Sequence, residues 1–129
     1  MEDVAGIRGL TGWIGTALSA RDPGALARFY SALLGWEIAG ESAEWVTIGM
    51  PGTTHYLAFA IDEHHEPPEW PSRPGAQLMQ VHLDIGVADV AAAVEDALAL
   101  GASLAEFQPQ DDVRVLIDPA GHPFCLYAD

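Results

Sequence analysis

The sequence contains no lysine, and it has only five arginines but 19 aspartates and glutamates. The formal net charge is therefore −14. A chain of this charge repels phosphate backbones, so we exclude nucleic acid as a partner. Anionic membrane surfaces are disfavoured for the same reason, whereas neutral or cationic partners are compatible with the charge.

Cysteine and long apolar runs are also scarce. Cys125 is the single cysteine, which excludes an internal disulfide and a zinc site built from cysteines. No apolar run approaches the roughly 20 residues that a membrane span needs. The start of the sequence, Met1-Glu2-Asp3-Val4, lacks the pattern of a signal peptide. We therefore expect a cytoplasmic protein. Its arginine-only, alanine-rich and glycine-rich composition is typical of a GC-rich bacterial genome.

The length and the apolar content are those of one folded domain. The chain has 129 residues, of which 50% are hydrophobic and 19% charged. Domains commonly contain about 100–150 residues, and this composition can bury a core. We therefore predict one domain over 1–129.

Two similar helices divide this domain into halves. Asp22 is a helix N-cap and Gly35 a helix end, which predicts a helix over 23–34. The same pattern predicts a second helix over 90–100, whose capping aspartate lies 67 residues after the first one. The chain therefore repeats one structural unit.

The predicted strands follow the same repeat, giving a β-α-β-β-β unit in each half. They are 13–19, 36–40, 44–49 and 55–61 in the first half and 79–87, 103–107, 113–117 and 122–127 in the second. We place module 1 at about 12–61, a proline-rich linker at 62–77 and module 2 at about 78–128. Within the linker, we interpret His64-His65 as a solvated loop rather than a weak metal site.

Alternation along the strands separates two faces of the sheet. The face predicted to pack against the helices is uniformly apolar and carries Leu18, Leu57, Phe59, Ile61, Val81, Leu83, Ile85, Phe124 and Leu126. The other face mixes aromatic, polar and very small residues, namely Trp13, Gly15, Ala17, Tyr56, Ala58, Gln80, His82, Asp84, Cys125 and Tyr127. Such a face is typical of a pocket wall, with a half-solvated sheet as the alternative.

This organisation resembles the vicinal oxygen chelate superfamily, which includes glyoxalase I, bleomycin-resistance proteins and extradiol dioxygenases. The matching segments are Asp22…Phe29-Tyr30…Leu34-Gly35-Trp36, Val81-His82-Leu83-Asp84-Ile85 and Asp118-Pro119-Ala120-Gly121-His122-Pro123-Phe124. Pro67-Pro68-Glu69-Trp70-Pro71 resembles an actinobacterial glyoxalase-like subgroup. The resemblance implies an α+β fold whose paired modules form a cupped mixed sheet, and it implies a homodimer.

The superfamily binds a metal at four strand positions, and the resemblance puts these near Gly15, Ala58, His82 and Cys125. Only His82 is a typical ligand, whereas a catalytic zinc needs about three protein ligands and an open position. We therefore predict no metal and no cofactor. The alternative is a divalent metal held by a reduced set of ligands.

The predicted function is metal-independent binding or sequestration of a small organic molecule, as in bleomycin-resistance proteins that confer antibiotic resistance. An aromatic or cationic metabolite or antibiotic would suit a wall that is aromatic and acidic. The predicted contact residues are Trp13, Tyr56, Trp70, His82, Asp84, Arg114, Cys125 and Tyr127. The alternatives are a glyoxalase-type lyase or isomerase, with a reduced metal site or with His82 as base, and a protein-binding role with the cup unused.

Several of these residues also have a purely structural interpretation. In the functional interpretation His82 is a general base with Asp84 as its neighbour. In the structural interpretation both are retained family residues that bond to the backbone. Cys125 is a nucleophile beside His82 or a small buried residue. Trp70 covers the cup or packs the linker against the domain. Arg114 binds a ligand carboxylate or forms a surface salt bridge.

Overall fold

The computed structural model describes residues 4–129 and contains two β-α-β-β-β modules, so the predicted α+β class is confirmed. Module 1 consists of β1 (Ile14–Ala20), α1 (Pro23–Leu34), β2 (Glu37–Glu41), β3 (Trp45–Gly49) and β4 (His55–Ile61). Module 2 consists of β5 (Leu83–Val87), α2 (Val90–Leu100), β6 (Ser103–Leu104), β7 (Val113–Ile117) and β8 (Pro123–Ala128). Neither helix in 4–129 is long and apolar enough to cross a membrane. We predict no signal peptide at the start of the sequence, and residues 1–3 of that segment lie outside the described residues.

Both helices begin and end where their capping residues predict. The Asp22 carboxylate accepts a hydrogen bond from the Ala25 backbone N–H at 3.0 Å, and Asp89 does the same for Ala92 at 3.1 Å. α1 ends at Gly35, whose φ of 71° is left-handed, and α2 ends at a glycine with φ of 118°. The caps satisfy backbone groups that a helix terminus leaves without partners.

The strands form two four-stranded mixed sheets of the same topology, with orders β1-β4-β3-β2 and β5-β8-β7-β6. In each sheet the first strand runs parallel to the last one of its module. Ala17 pairs with Ala58 in module 1, and Asp84 pairs with Cys125 in module 2. These two pairs have the same sequence separation, so the 67-residue repeat relates equivalent positions of the two sheets.

Two strands are more than one residue shorter than predicted, because the neighbouring backbone does not extend the ladder. β5 begins at Leu83, which pairs with Phe124. The preceding residue of β8 is Pro123, which has no N–H to donate. β6 ends at Leu104, because the Gln108 side-chain amide forms hydrogen bonds of 2.8 Å to both the N–H and the C=O of Val115.

A single hydrophobic core joins the two modules. Its centre is Tyr30 on α1, whose ring stacks on Phe59 at 5.7 Å between centroids and meets Phe124 of the other module edge-on at 6.0 Å. The Tyr30 hydroxyl donates a hydrogen bond of 2.6 Å to the buried Asp118 carboxylate. Burial, reinforced by the negative charge of Asp118 and this hydrogen bond, raises the Tyr30 pKa far above its usual value.

The predicted apolar face lies in this core except at two strand ends. Five of its members are buried, namely Leu18, Leu57, Phe59, Phe124 and Leu126, and Leu83 and Ile85 pack against them. Ile61 remains 40% exposed and Val81 53% exposed, so the prediction was wrong for these two. Ile61 is the last residue of β4, and Val81 precedes β5, so neither is covered by a helix.

Candidate functional site

The opposite face of each sheet, which we call the open face, carries most of the predicted site residues. They lie on β4, β5 and β8, except for Trp13 and His82, which immediately precede β1 and β5. Because successive strand residues point to opposite sides, residues that alternate with Leu57 or Leu126 lie on this face. In module 2 it brings together His82, Asp84 and Cys125. Their nitrogen, oxygen and sulfur ligand atoms lie within 4.8 Å of one another.

Asp84 lies at the centre of this cluster. Its Oδ1 is 3.1 Å from His82 Nε2, and its strand position is directly beside Cys125. Burial is the largest cause of a raised pKa for the Cys125 thiol, and the Asp84 charge and a hydrogen bond to its carboxylate raise it further. Burial and, to a smaller extent, Asp84 therefore favour the protonated thiol, whereas an activated nucleophile requires a lowered pKa.

Module 1 offers no metal ligand at the equivalent positions. A Cβ at position 15 would overlap the ring of Tyr56, which therefore lies over Gly15 on the open face. Ala58 is fully buried and has no ligand atom. The four-ligand metal site of the superfamily does not fit this chain, and the remaining donors all come from module 2.

What remains in module 2 is a mixed donor set. Imidazole, carboxylate and thiolate groups together suit a soft divalent ion such as zinc, provided that the Cys125 thiol gives up its proton. A ligand set of this kind needs all three side chains, since no further His, Cys, Asp or Glu of the described residues joins the cluster.

Aromatic residues lie on the open face of both modules. The Trp13 and Tyr56 rings are 6.4 Å apart and tilted, and Trp13 is 66% exposed. In module 2 the Tyr127 hydroxyl lies 3.1 Å from where a Cβ of Gly86 would be, and the two residues are partners in the ladder. Each parallel strand pair therefore carries a tyrosine over a glycine, which puts an aromatic ring on the open face of each module.

The two other predicted contact residues lie elsewhere. Trp70 donates a hydrogen bond of 3.0 Å from Nε1 to the Phe107 carbonyl, and the two rings are 6.1 Å apart. This contact is the one expected if Trp70 packs the linker against module 2. Arg114 is the ladder partner of the core residue Leu126, so it lies on the helix side of its sheet. There it lines a cavity of about 680 Å³ beside α2.

A cavity of about 340 Å³, which the sequence patterns do not predict, lies between the linker, β1 and the start of β8. We call it the linker cavity. His65 of the linker and His122 line it, with ring centroids 4.9 Å apart. The cluster of acidic residues and histidines over 62–66 could have indicated this cavity. The sequence could not have shown that His122, more than 50 residues away, also lines it.

Comparison with known proteins identifies the class to which this fold and site belong. Residues 15–127 match the family model described as a glyoxalase-like domain. Because the match spans most of the chain, the protein belongs to the glyoxalase-like domain family. No curated protein matches the chain in sequence at a significant level.

Solved structures of the glyoxalase, bleomycin-resistance and dioxygenase superfamily share the fold. A family enzyme from Burkholderia phytofirmans PsJN has a TM-score of 0.66 at 18% identity, over 88% of this chain and 95% of that one. Lactoylglutathione lyase from Agrobacterium tumefaciens has 0.61 at 17%, over 94% and 96%. TnmS3, an antibiotic-binding protein from Streptomyces sp. CB03234, has 0.60 at 15%, over 95% and 98%. At these identities the likeness defines the fold alone.

Proposed function

We propose that this protein binds or sequesters a small aromatic or cationic organic molecule on its open face without using a metal. The observation that carries the proposal is the Tyr56 ring over Gly15, together with the burial of Ala58. Where the superfamily has metal-ligating residues, module 1 has an aromatic surface. Antibiotic binding by TnmS3, which has the same fold, supports this class of function.

Three further properties belong to the same proposal. The resemblance of the proline-rich linker motif around Trp70 supports an actinobacterial subgroup. The pairing of modules in the superfamily supports a homodimer. The acidic composition supports a protein that contacts neither nucleic acid nor membrane, and we place this protein in the cytoplasm.

Thermal shift with a panel of metabolites and antibiotics tests the binding function. We expect at least one aromatic compound to raise the melting temperature, and the rise to persist in EDTA because no metal takes part. Tyr56→Ala should reduce the rise, whereas Leu98→Ala, which truncates an exposed residue of α2, should leave it unchanged. A panel without any shift, or a shift that EDTA abolishes, would contradict the proposal.

The second candidate is a glyoxalase-type lyase or isomerase, with His82 as base or with a reduced metal site. The observation that favours it is the convergence of His82, Asp84 and Cys125 within 4.8 Å. Elemental analysis of the purified protein separates the two functions. One tightly held zinc, nickel, manganese or iron per chain, lost in His82→Ala but kept in His55→Ala, would establish the metal site and overturn metal-independent binding.

A further inference from the structure

The linker cavity has the size and the mixed lining of a small-molecule site. Its volume of about 340 Å³ lies within the range of about 300–1,000 Å³ that is usual for such sites. Leu78, Met79 and Val81 provide apolar lining. Leu78 and Val81 are about half exposed, so a bound molecule would cover apolar surface that water now contacts.

The charged groups of the cavity are all acidic. Asp62 and Glu66 line it, and no arginine among the described residues does, in a chain that has no lysine. One Asp62 oxygen accepts a hydrogen bond of 2.9 Å from the His64 backbone N–H, which positions this carboxylate. The Arg21 guanidinium donates a hydrogen bond to the His65 carbonyl and lines a neighbouring cavity instead.

Two of the three histidines that line the cavity contact backbone carbonyls through Nε2. His65 Nε2 lies 2.9 Å from the Ala120 carbonyl, and His122 Nε2 lies 2.7 Å from the Ser19 carbonyl. A carbonyl only accepts hydrogen bonds, so Nε2 carries the proton in both rings. When such a ring is neutral, its other nitrogen, Nδ1, is an acceptor. Carboxylates and ring acceptors together complement a group that only donates, such as an ammonium.

We propose that the linker cavity selects an organic monocation with an apolar body, its ammonium group held by Asp62 and Glu66. This inference rests on the proposed function, because Ala17 belongs both to the open face and to the wall of the cavity. A molecule on the open face can therefore extend its cationic end under the linker. The acidic linker thus decides which aromatic compounds bind.

Calorimetric titration with tryptamine and with tryptophol, at about 0.15 M salt to screen distant charges, tests this selection. The two probes share the indole ring and differ in carrying an ammonium or a neutral hydroxyl group. We expect tryptamine to bind about tenfold or more tightly, the order of one charge-assisted hydrogen bond. Asp62→Asn combined with Glu66→Gln should remove this preference and leave tryptophol affinity unchanged.

Glu63→Gln is the matched control, because Glu63 lies in the same linker but is not among the residues that line the cavity. It should keep the preference for tryptamine. Equal affinity for the two probes, no binding of tryptamine, or an equal effect of Glu63→Gln would overturn the inference. Tryptophol binding without any preference for tryptamine would overturn charge selection alone and would leave the proposed aromatic site standing.

Discussion

At the scale of single residues, Cys125 illustrates how a neighbour decides chemistry that the residue type leaves open. The resemblance places both Cys125 and His82 at metal-ligand positions, which is compatible with a nucleophile and a neighbouring base. The structure inserts Asp84 next to both of them. A carboxylate beside a thiol disfavours the thiolate, so Asp84 opposes a thiolate–imidazolium pair of Cys125 and His82.

Asp84→Asn is expected to make Cys125 more reactive. In the natural protein the midpoint of the pH profile for alkylation by iodoacetamide should lie above the value of about 8.5 for a free thiol. Removing the Asp84 charge should lower this midpoint, because the charge opposes ionisation. The midpoint should remain above that of a free thiol, since burial is the larger cause.

Mass spectrometry of the alkylated protein over a pH series measures this midpoint. Asp111→Asn is the matched control, because Asp111 lies beside the cavity at α2 and outside the His82 cluster. A midpoint that Asp84→Asn leaves unchanged would contradict the assignment of Asp84 as the partner of the thiol.

At the scale of elements, the helices were predictable and the strand ends were not. Capping residues act within a few positions of themselves, so α1 and α2 have their predicted limits. The end of β6 depends on Gln108, which binds the backbone of Val115 across a loop. The path of the linker likewise depends on distant contacts, such as that of His65 with Ala120.

Gly35→Ala is expected to destabilise the protein by about 1 kcal/mol, because an L-residue with a side chain resists the left-handed conformation. Gly35 has φ of 71° with open space around it, so conformation alone is altered. Gly49→Ala is the matched control, since Gly49 also has open space and its φ lies outside the left-handed region. Urea unfolding measures both, and an equal effect of the two substitutions would contradict this explanation.

At the scale of the whole molecule, Tyr30 and Asp118 hold the modules together. Tyr30 lies on α1, whereas Asp118 follows β7 and also accepts hydrogen bonds from the Ala120 and His122 backbone N–H groups. One carboxylate therefore fixes both the turn before β8 and the position of the first module against it. The strands that carry the open face depend on this contact.

Tyr30→Phe is expected to lower the free energy of unfolding by about 1–3 kcal/mol, because a buried carboxylate oxygen loses its donor. Thermal or urea unfolding measures the change. Tyr127→Phe removes a hydroxyl from an exposed ring and should have little effect. If both variants lose the same stability, the buried hydrogen bond does not join the modules.

The sequence by itself determined the fold class, the two modules and the helix limits, whereas the metal-ligand positions near 15 and 58 were located only by the resemblance to the superfamily. The first three follow from local patterns or from the repeat, which need no knowledge of distant contacts. Only the tertiary structure placed Asp84 against Cys125, turned Arg114 to the helix side and formed the linker cavity. These features arise where segments far apart in the chain pack together, and side-chain packing between such segments has no signature in either segment alone.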